Sequence, residues 1–143
     1  MEIRTLSPRF AVSEQLCAED MPAIAGAGIK TVICNRPDAE IPAEQHHHVL
    51  SAAAKAAGLN FEVLELTMQT MTPQNVARQH ALMQDSEGPV LAYCRTGTRC
   101  SVVWALTQAG TMSTDDILAA ANAAGYDISR IAPTLDQMAD SDG

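Results

Sequence analysis

Residues 89–104 read PVLAYCRTGTRCSVVW, an apolar strand and an apolar helix separated by a polar loop. The pattern predicts a strand over Pro89–Tyr93 and a helix over Arg99–Gln108. In a parallel sheet, ligands bind where strands end and helices begin, because helix N-termini present unpaired N–H groups and a partial positive charge. We therefore expect a functional site in the loop that starts at Cys94.

The rest of the chain repeats this alternation of strand and helix. Apolar and β-branched runs predict three further strands, at Phe10–Val12, Thr31–Cys34 and Phe61–Leu66. Alanine-rich segments predict four further helices, at Glu19–Ala27, Ala43–Ala57, Pro73–Gln84 and Thr114–Ala124. Such alternation is typical of βαβ units. We expect an α/β fold, a single-domain three-layer sandwich over residues 1–143 with a mostly parallel central sheet of four to five strands, and disorder over 140–143.

Composition excludes several classes of protein. The net charge of −8 argues against a nucleic-acid surface. No basic patch and apolar run follow Met1, and nowhere do eighteen apolar residues occur in succession, so we expect no membrane association. The four cysteines lack paired C-x-x-C spacing and the density of a secreted disulfide scaffold, which predicts free thiols and a cytoplasmic protein. The sequence makes no prediction of the oligomeric state.

The residue types in the loop suit thiolate chemistry on an oxyanion. A helix N-terminus with Arg95 and Arg99 nearby favours the thiolate form of Cys94, which is then a nucleophile near neutral pH. Gly97 permits a tight turn that points backbone amides inward, and Arg99 offers planar bidentate donors. The alternative, a buried core cysteine beside solvated arginines, does not account for this combination. We predict a small oxyanion or phosphorylated substrate.

The loop resembles two known active-site loops. Its cysteine, arginine, glycine and second arginine match those of rhodanese-type sulfurtransferases at Cys94, Arg95, Gly97 and Arg99. It is also similar to the loop of cysteine phosphatases, which places five residues rather than four between cysteine and arginine. These resemblances imply that Cys94 and Arg99 are catalytic. They imply substrate contacts from the neighbouring loop and helix residues, namely Arg95, Thr96, Gly97, Thr98, Cys100 and Ser101.

Further segments resemble one bacterial family, the phosphatase-like domain of beta-lactamase-hydrolase-like proteins. They are residues 28–38, 56–59, 89–99 and 104–106, and the resemblance covers about residues 1–110. It implies a dual-specificity-phosphatase-like fold, and the family has been labelled both phosphatase and sulfur transferase. Three functions therefore stay open: a phosphatase-like hydrolase with a phosphocysteine intermediate, a sulfurtransferase with a Cys94 persulfide, and a non-catalytic oxyanion-binding module.

Dual-specificity phosphatases carry a general-acid aspartate on the loop that corresponds to residues 67–72. Here that loop reads TMQTMT and contains no acid. Asp38 follows the Thr31–Cys34 strand and should reach the same sheet edge as Cys94, so it is our candidate acid, with Arg36 as a candidate substrate contact. The alternative, which we weigh equally, is that residues 35–38 form a turn in which Asp38 bonds its own backbone and Arg36 pairs with a carboxylate.

Two remaining features are the histidines and the other cysteines. His46, His47 and His48 would point about 100° apart on a helix, unlike usual zinc ligands, so we predict no metal. No cofactor is predicted either. Cys17 and Cys34 lie in apolar contexts that suit core residues. Cys100 either captures an oxidised Cys94 as a disulfide or replaces a serine without a role of its own.

Overall fold

The computed structural model of the chain describes residues 1–142, and a five-stranded sheet forms its centre. The strands are β1 (Arg4–Ser7), β2 (Phe10–Ser13), β3 (Thr31–Cys34), β4 (Asn60–Val63) and β5 (Val90–Tyr93). Their order across the sheet is β1-β2-β5-β3-β4. β1 pairs antiparallel with β2, and the other neighbours pair in parallel. The predicted mostly parallel sheet is confirmed.

Within residues 1–142, six α-helices surround the sheet. They are α1 (Met21–Gly26), α2 (His47–Ala56), α3 (Pro73–Asp85), α4 (Thr98–Gln108), α5 (Thr114–Ala123) and α6 (Ala132–Asp142). Short 3-10 turns occupy Ala18–Asp20, Asp38–Glu40, Ala43–Gln45 and Ser129–Ile131. Within the described residues, no helix combines the length and the apolar character that crossing a membrane requires.

The two faces of the sheet pack against different helices. Val12, Ile33 and Ala92 are buried in one apolar cluster with side chains of α3, α4, α5 and α6. The alternate residues of the same strands, such as Val32 and Leu91, are buried with side chains of α1 and α2. Because successive strand residues point to opposite faces, each of β2, β3 and β5 contributes to both clusters. This arrangement is the expected three-layer sandwich.

Strand register brings three chain segments to one edge of the sheet. Tyr93, the last residue of β5, pairs with Ser13 of β2 on one side and with Cys34 of β3 on the other. All three strands run in the same direction, so the residues that follow them leave the sheet together. Cys94 and Asn35 consequently begin neighbouring loops at the carboxyl edge.

The structure also corrects several predicted boundaries. β1 was not predicted, because it is a polar edge strand in which only Leu6 is buried. The strand expected to reach Leu66 ends at Val63. The helix expected from Ala43 begins only at His47, since His46 has an extended backbone with ψ 151°.

The C-terminal segment differs from the prediction as well. α6, which was not predicted, includes residues 140–142, Gly143 lies outside the described residues, and the expected disorder over 140–143 stays a prediction. α6 was missed because its sequence is polar and its main buried contact is Leu135.

Candidate active site

Cys94 directly follows β5 and is almost completely buried, with 1% of its surface exposed. Its backbone N–H donates to the Ser13 carbonyl over 3.4 Å. Gly97 caps α4, whose first helical residue is Thr98. The sulfur therefore lies at the carboxyl edge of the sheet and at the positive end of an eleven-residue helix, as the sequence predicted.

The loop curls its backbone amides around the sulfur. The Gly97 N–H donates to Cys94 Sγ over 3.1 Å. Gly97 has φ 97°, a left-handed conformation that L side chains rarely adopt, and an added Cβ would overlap the Tyr126 hydroxyl. That hydroxyl donates to the Thr96 carbonyl over 3.0 Å. Glycine is thus required both by the turn and by the tyrosine that packs against it.

Hydrogen bonds favour the thiolate of Cys94. The Cys100 thiol, followed by the backbone N–H groups of Cys100, Gly97 and Thr96, lowers the pKa of Cys94 to about 5, although burial opposes the shift. Burial raises the pKa of Cys100 well above its usual value, so Cys100 stays protonated and can donate. Both thiols are free. The role of Cys100 in a disulfide with Cys94 stays a prediction.

We expect the pKa of Cys94 to rise when Cys100 loses its donor. In the wild type, the rate of iodoacetamide alkylation of Cys94 should increase through about pH 5 and level off before pH 7. In Cys100→Ala the midpoint should move up by about one unit or more, whereas Cys100→Ser, which keeps a hydroxyl donor, should stay closer to the wild type. Mass spectrometry after brief alkylation measures the rates, and identical midpoints in the wild type and Cys100→Ala would remove this role of Cys100.

Arg99 lies in the first turn of α4 and binds a carboxylate that the sequence analysis did not identify. Its two terminal nitrogens donate to both oxygens of Glu40, over 2.7 and 3.0 Å, and one also donates to the Leu66 carbonyl over 2.9 Å. The hydrogen bonds from Arg99 lower the pKa of the Glu40 carboxyl. Arg99 therefore makes with a side-chain carboxylate the bidentate contact that the sequence analysis predicted for an oxyanion.

Arg36 belongs to the same group. Its Nε lies 3.4 Å from Glu40 Oε1, and one terminal nitrogen donates to Gln15 Oε1 over 3.1 Å. Glu40 thus lies between two guanidinium groups. The predicted pairing of Arg36 with a carboxylate is present, and the pairing also brings Arg36 to the site. Glu40 could have been noticed four residues after Arg36, on the loop that already contained Asp38.

The other predicted loop residues have varied surroundings. Arg95 and Thr96 are exposed, and the Thr96 and Thr98 hydroxyls are 3.1 Å apart. Ser101 is fully buried, and its hydroxyl donates to the Gly97 carbonyl over 2.8 Å. Ser101 therefore supports the turn, and Cys100 is the residue whose side chain contributes most to lowering the pKa of Cys94.

The Asp38 carboxyl binds His47, whereas Arg99 binds Glu40. One oxygen accepts from the His47 backbone N–H over 2.9 Å, and the other is 3.2 Å from His47 Nε2. Asp38 begins the 3-10 turn that ends at Glu40. Two carboxyls of one short turn are therefore candidates for proton transfer, and Glu40 is the one in contact with Arg99.

A buried pair of amide side chains lies next to Cys100, and the sequence analysis did not identify it. Asn35 and Gln79 exchange two side-chain hydrogen bonds of 3.0 and 3.1 Å, and both residues are fully buried. The Asn35 oxygen also lies 3.4 Å from Cys100 Sγ. This pair links the loop after β3 to α3 and to the thiol beside Cys94. No signal in the sequence marked Gln79, which stands between Arg78 and His80, whereas Asn35 directly follows the apolar run Thr31–Cys34.

Comparison with known proteins places this site in a family. A sequence profile described as "Beta-lactamase hydrolase-like protein, phosphatase-like domain" matches residues 2–111. A beta-lactamase hydrolase-like protein of Xylella fastidiosa is 29% identical over 141 residues, which are 97% of this chain and 33% of the relative. The chain therefore spans about a third of the length of that curated relative.

Solved structures agree with the family assignment. The crystal structure of a candidate phosphatase from Neisseria meningitidis is 36% identical with a TM-score of 0.87, over 96% of this chain and 99% of that one. TpbA of P. aeruginosa, solved with phosphotyrosine, has the same fold with a TM-score of 0.70 at 17% identity, over 97% and 88% of the two chains. The predicted cysteine-phosphatase-like fold is confirmed. The chain belongs to the family of phosphatase-like domains of beta-lactamase hydrolase-like proteins.

Proposed function

We propose that this domain is a cysteine-dependent hydrolase of phosphate monoesters. The observation that carries the proposal is the buried sulfur of Cys94, whose hydrogen bonds lower its pKa to about 5. A thiolate is the nucleophile of cysteine enzymes, and this one would be ionised throughout the neutral pH range. The phosphatase-like family and the phosphotyrosine complex of TpbA support phosphate as the group transferred.

The reaction would proceed in two displacements. The Cys94 thiolate attacks phosphorus, the bond from phosphorus to the ester oxygen breaks, and the leaving alkoxide takes a proton from a carboxylic acid. Water then attacks the phosphocysteine, releasing inorganic phosphate and restoring the thiolate. The loop amides and the Arg99 guanidinium stabilise the charge on the equatorial oxygens in both steps.

We assign the leaving-group proton to Glu40. In the free protein Arg99 keeps the pKa of Glu40 low, so this carboxyl is ionised. A bound phosphate would compete for the Arg99 donors, and Glu40 would then face an anion without its main partner. Both changes raise the pKa of a carboxyl and favour its protonation. Asp38 remains the alternative from the sequence, at the other end of the same turn.

A second function is favoured by a specific feature, the four residues between Cys94 and Arg99, which match the sulfurtransferase spacing. In this reaction the thiolate attacks the sulfane sulfur of thiosulfate, the S–S bond breaks, and sulfite leaves with the electron pair. Transfer of the persulfide sulfur to cyanide gives thiocyanate. No leaving-group proton is needed, so neither Glu40 nor Asp38 would be essential.

Parallel assays of the wild type separate these functions. We expect release of inorganic phosphate from nitrophenyl and phenyl phosphates, with less thiocyanate formed from thiosulfate and cyanide at equal enzyme concentration. Acid quenching during turnover of labelled phosphate ester should leave label on the peptide that contains Cys94. Thiocyanate formation without phosphate release would reject the hydrolase and favour the sulfurtransferase. Anion binding without either product would leave only a binding module.

A further inference from the structure

A second group of polar side chains lies on the loop between β3 and α2. Asp38 Oδ2 is 3.2 Å from His47 Nε2 and 3.9 Å from His46 Nδ1. One ligand atom each of Asp38, His47 and Glu65 lies within 4.8 Å of the other two. One imidazole and two carboxylates therefore meet in one place, although they come from separate parts of the sequence, and the His46 ring lies beside them with Nδ1 3.9 Å from Asp38 Oδ2.

The backbone at His46 explains why two adjacent histidines can face one carboxylate. The sequence analysis assumed that all three histidines lie on one helix and diverge. In the structure α2 begins at His47, and His46 precedes it with an extended backbone. This change of conformation turns both imidazoles toward Asp38, whereas His48 is exposed on the helix. The argument against a metal from helical spacing therefore fails for His46 and His47.

A hydrogen bond outside the group orients one of these rings. His46 Nε2 lies 3.1 Å from the Ile41 carbonyl, which can only accept, so Nε2 carries the proton. Nδ1 then has its lone pair free on the side that faces Asp38. A histidine that donates its second nitrogen to a carbonyl is the usual arrangement of histidine metal ligands.

Glu65 closes the group from the segment after β4. Its Oε2 accepts the Asp38 backbone N–H over 3.1 Å, which holds the two segments together and leaves its second oxygen free of that bond. The side chains of Asp38, His46 and His47 are 27%, 30% and 38% exposed, so an ion can enter from solvent.

We propose that Asp38, His47 and Glu65 bind one zinc ion and that the His46 ring moves toward them as the fourth ligand. Ligand atoms about 2.0–2.2 Å from a tetrahedral ion are roughly 3.3–3.6 Å apart. The 3.2 Å between Asp38 Oδ2 and His47 Nε2 is close to that spacing, whereas the 3.9 Å to His46 Nδ1 exceeds it. Two nitrogens and two carboxylates suit zinc, whereas calcium and magnesium take oxygen ligands. The site is separate from Cys94 and does not depend on the proposed hydrolase.

Titration calorimetry with zinc chloride tests the proposal on protein without a histidine tag, after alkylation of Cys94 to exclude thiolate binding. We expect one ion per chain, at least about tenfold weaker binding in His47→Ala and in Glu65→Gln, and unchanged binding in His48→Ala. His48→Ala is the matched control because it removes a neighbouring imidazole that lies outside the group.

Thermal unfolding gives a second readout that does not depend on heats of binding. Zinc should raise the melting temperature of the wild type and of His48→Ala, and should raise it less in His47→Ala, whose melting without zinc shows that the variant is folded. Equal zinc affinity in the wild type and His47→Ala, or equal losses in His47→Ala and His48→Ala, would overturn the site and leave only non-specific binding to a histidine-rich surface.

Discussion

Cys94→Ser is expected to lower the turnover of phosphate esters, and any thiosulfate sulfurtransfer, by at least about 10³-fold. The variant should still bind tungstate. A serine hydroxyl is not ionised at neutral pH, so the variant lacks a nucleophile. The Gly97 amide and Arg99, which would hold the anion, remain in place. Steady-state assays and titration calorimetry with tungstate measure the two effects separately.

Cys17→Ser provides the control for this experiment. The prediction of Cys17 as a core residue is wrong, because it is an exposed free thiol at the start of a 3-10 turn, outside the loop of Cys94. Its replacement should leave both turnover and tungstate binding as in the wild type. Turnover by Cys94→Ser that equals the wild type would reject every enzyme mechanism based on this sulfur.

The second large effect is expected from Glu40. Glu40→Gln should lower the turnover of phenyl phosphate by about 10²–10⁴-fold, because the phenoxide leaving group needs a proton. Nitrophenolate departs without such help, so nitrophenyl phosphate should suffer much less. Asp38→Asn is the matched comparison from the same turn, and we expect it to cost less because the Asp38 carboxyl is bound to His47.

The pH profile of the same reaction gives an independent check. kcat/KM should rise with pH through about 5 as Cys94 ionises, and kcat should fall as Glu40 in the complex loses its proton. The falling limb should disappear in Glu40→Gln with nitrophenyl phosphate. Equal losses on both esters would reject Glu40 as the acid, and a larger selective loss in Asp38→Asn would assign the role to Asp38.

The parts of the fold that follow from local pattern were predictable from the sequence. The apolar run before Cys94 and the apolar helix after it could be recognised because both are buried on all sides, and Gly97 marked the turn between them. Polar elements such as β1 and α6 were not recognisable, because each has a single buried apolar side chain, Leu6 or Leu135, among its described residues.

The partners of the site were harder to predict than its loop. Arg99 was identified, but Glu40 lies 59 positions away in the chain, and only the parallel alignment of β3 and β5 brings the two together. The same holds for Glu65 and His47, whose proximity depends on where β4 and α2 end and begin. Spacing along the chain carries no information about such pairs, since tertiary packing sets their distances.

Tyr126 shows that the structure supporting the Cys94 loop extends beyond the segment that the family profile matches. The matched region ends at residue 111, yet the hydroxyl that holds the Thr96 carbonyl comes from beyond it. Arg4 ties that region back to the first strand, donating to the Ala124 carbonyl over 2.8 Å and lying 5.6 Å above the Tyr126 ring. A chain cut at residue 111 would keep Cys94 and Arg99 and lose the tyrosine hydrogen bond that supports the loop between them. A relative without a tyrosine at the position of Tyr126 would lack this hydrogen bond even if its loop motif were the same.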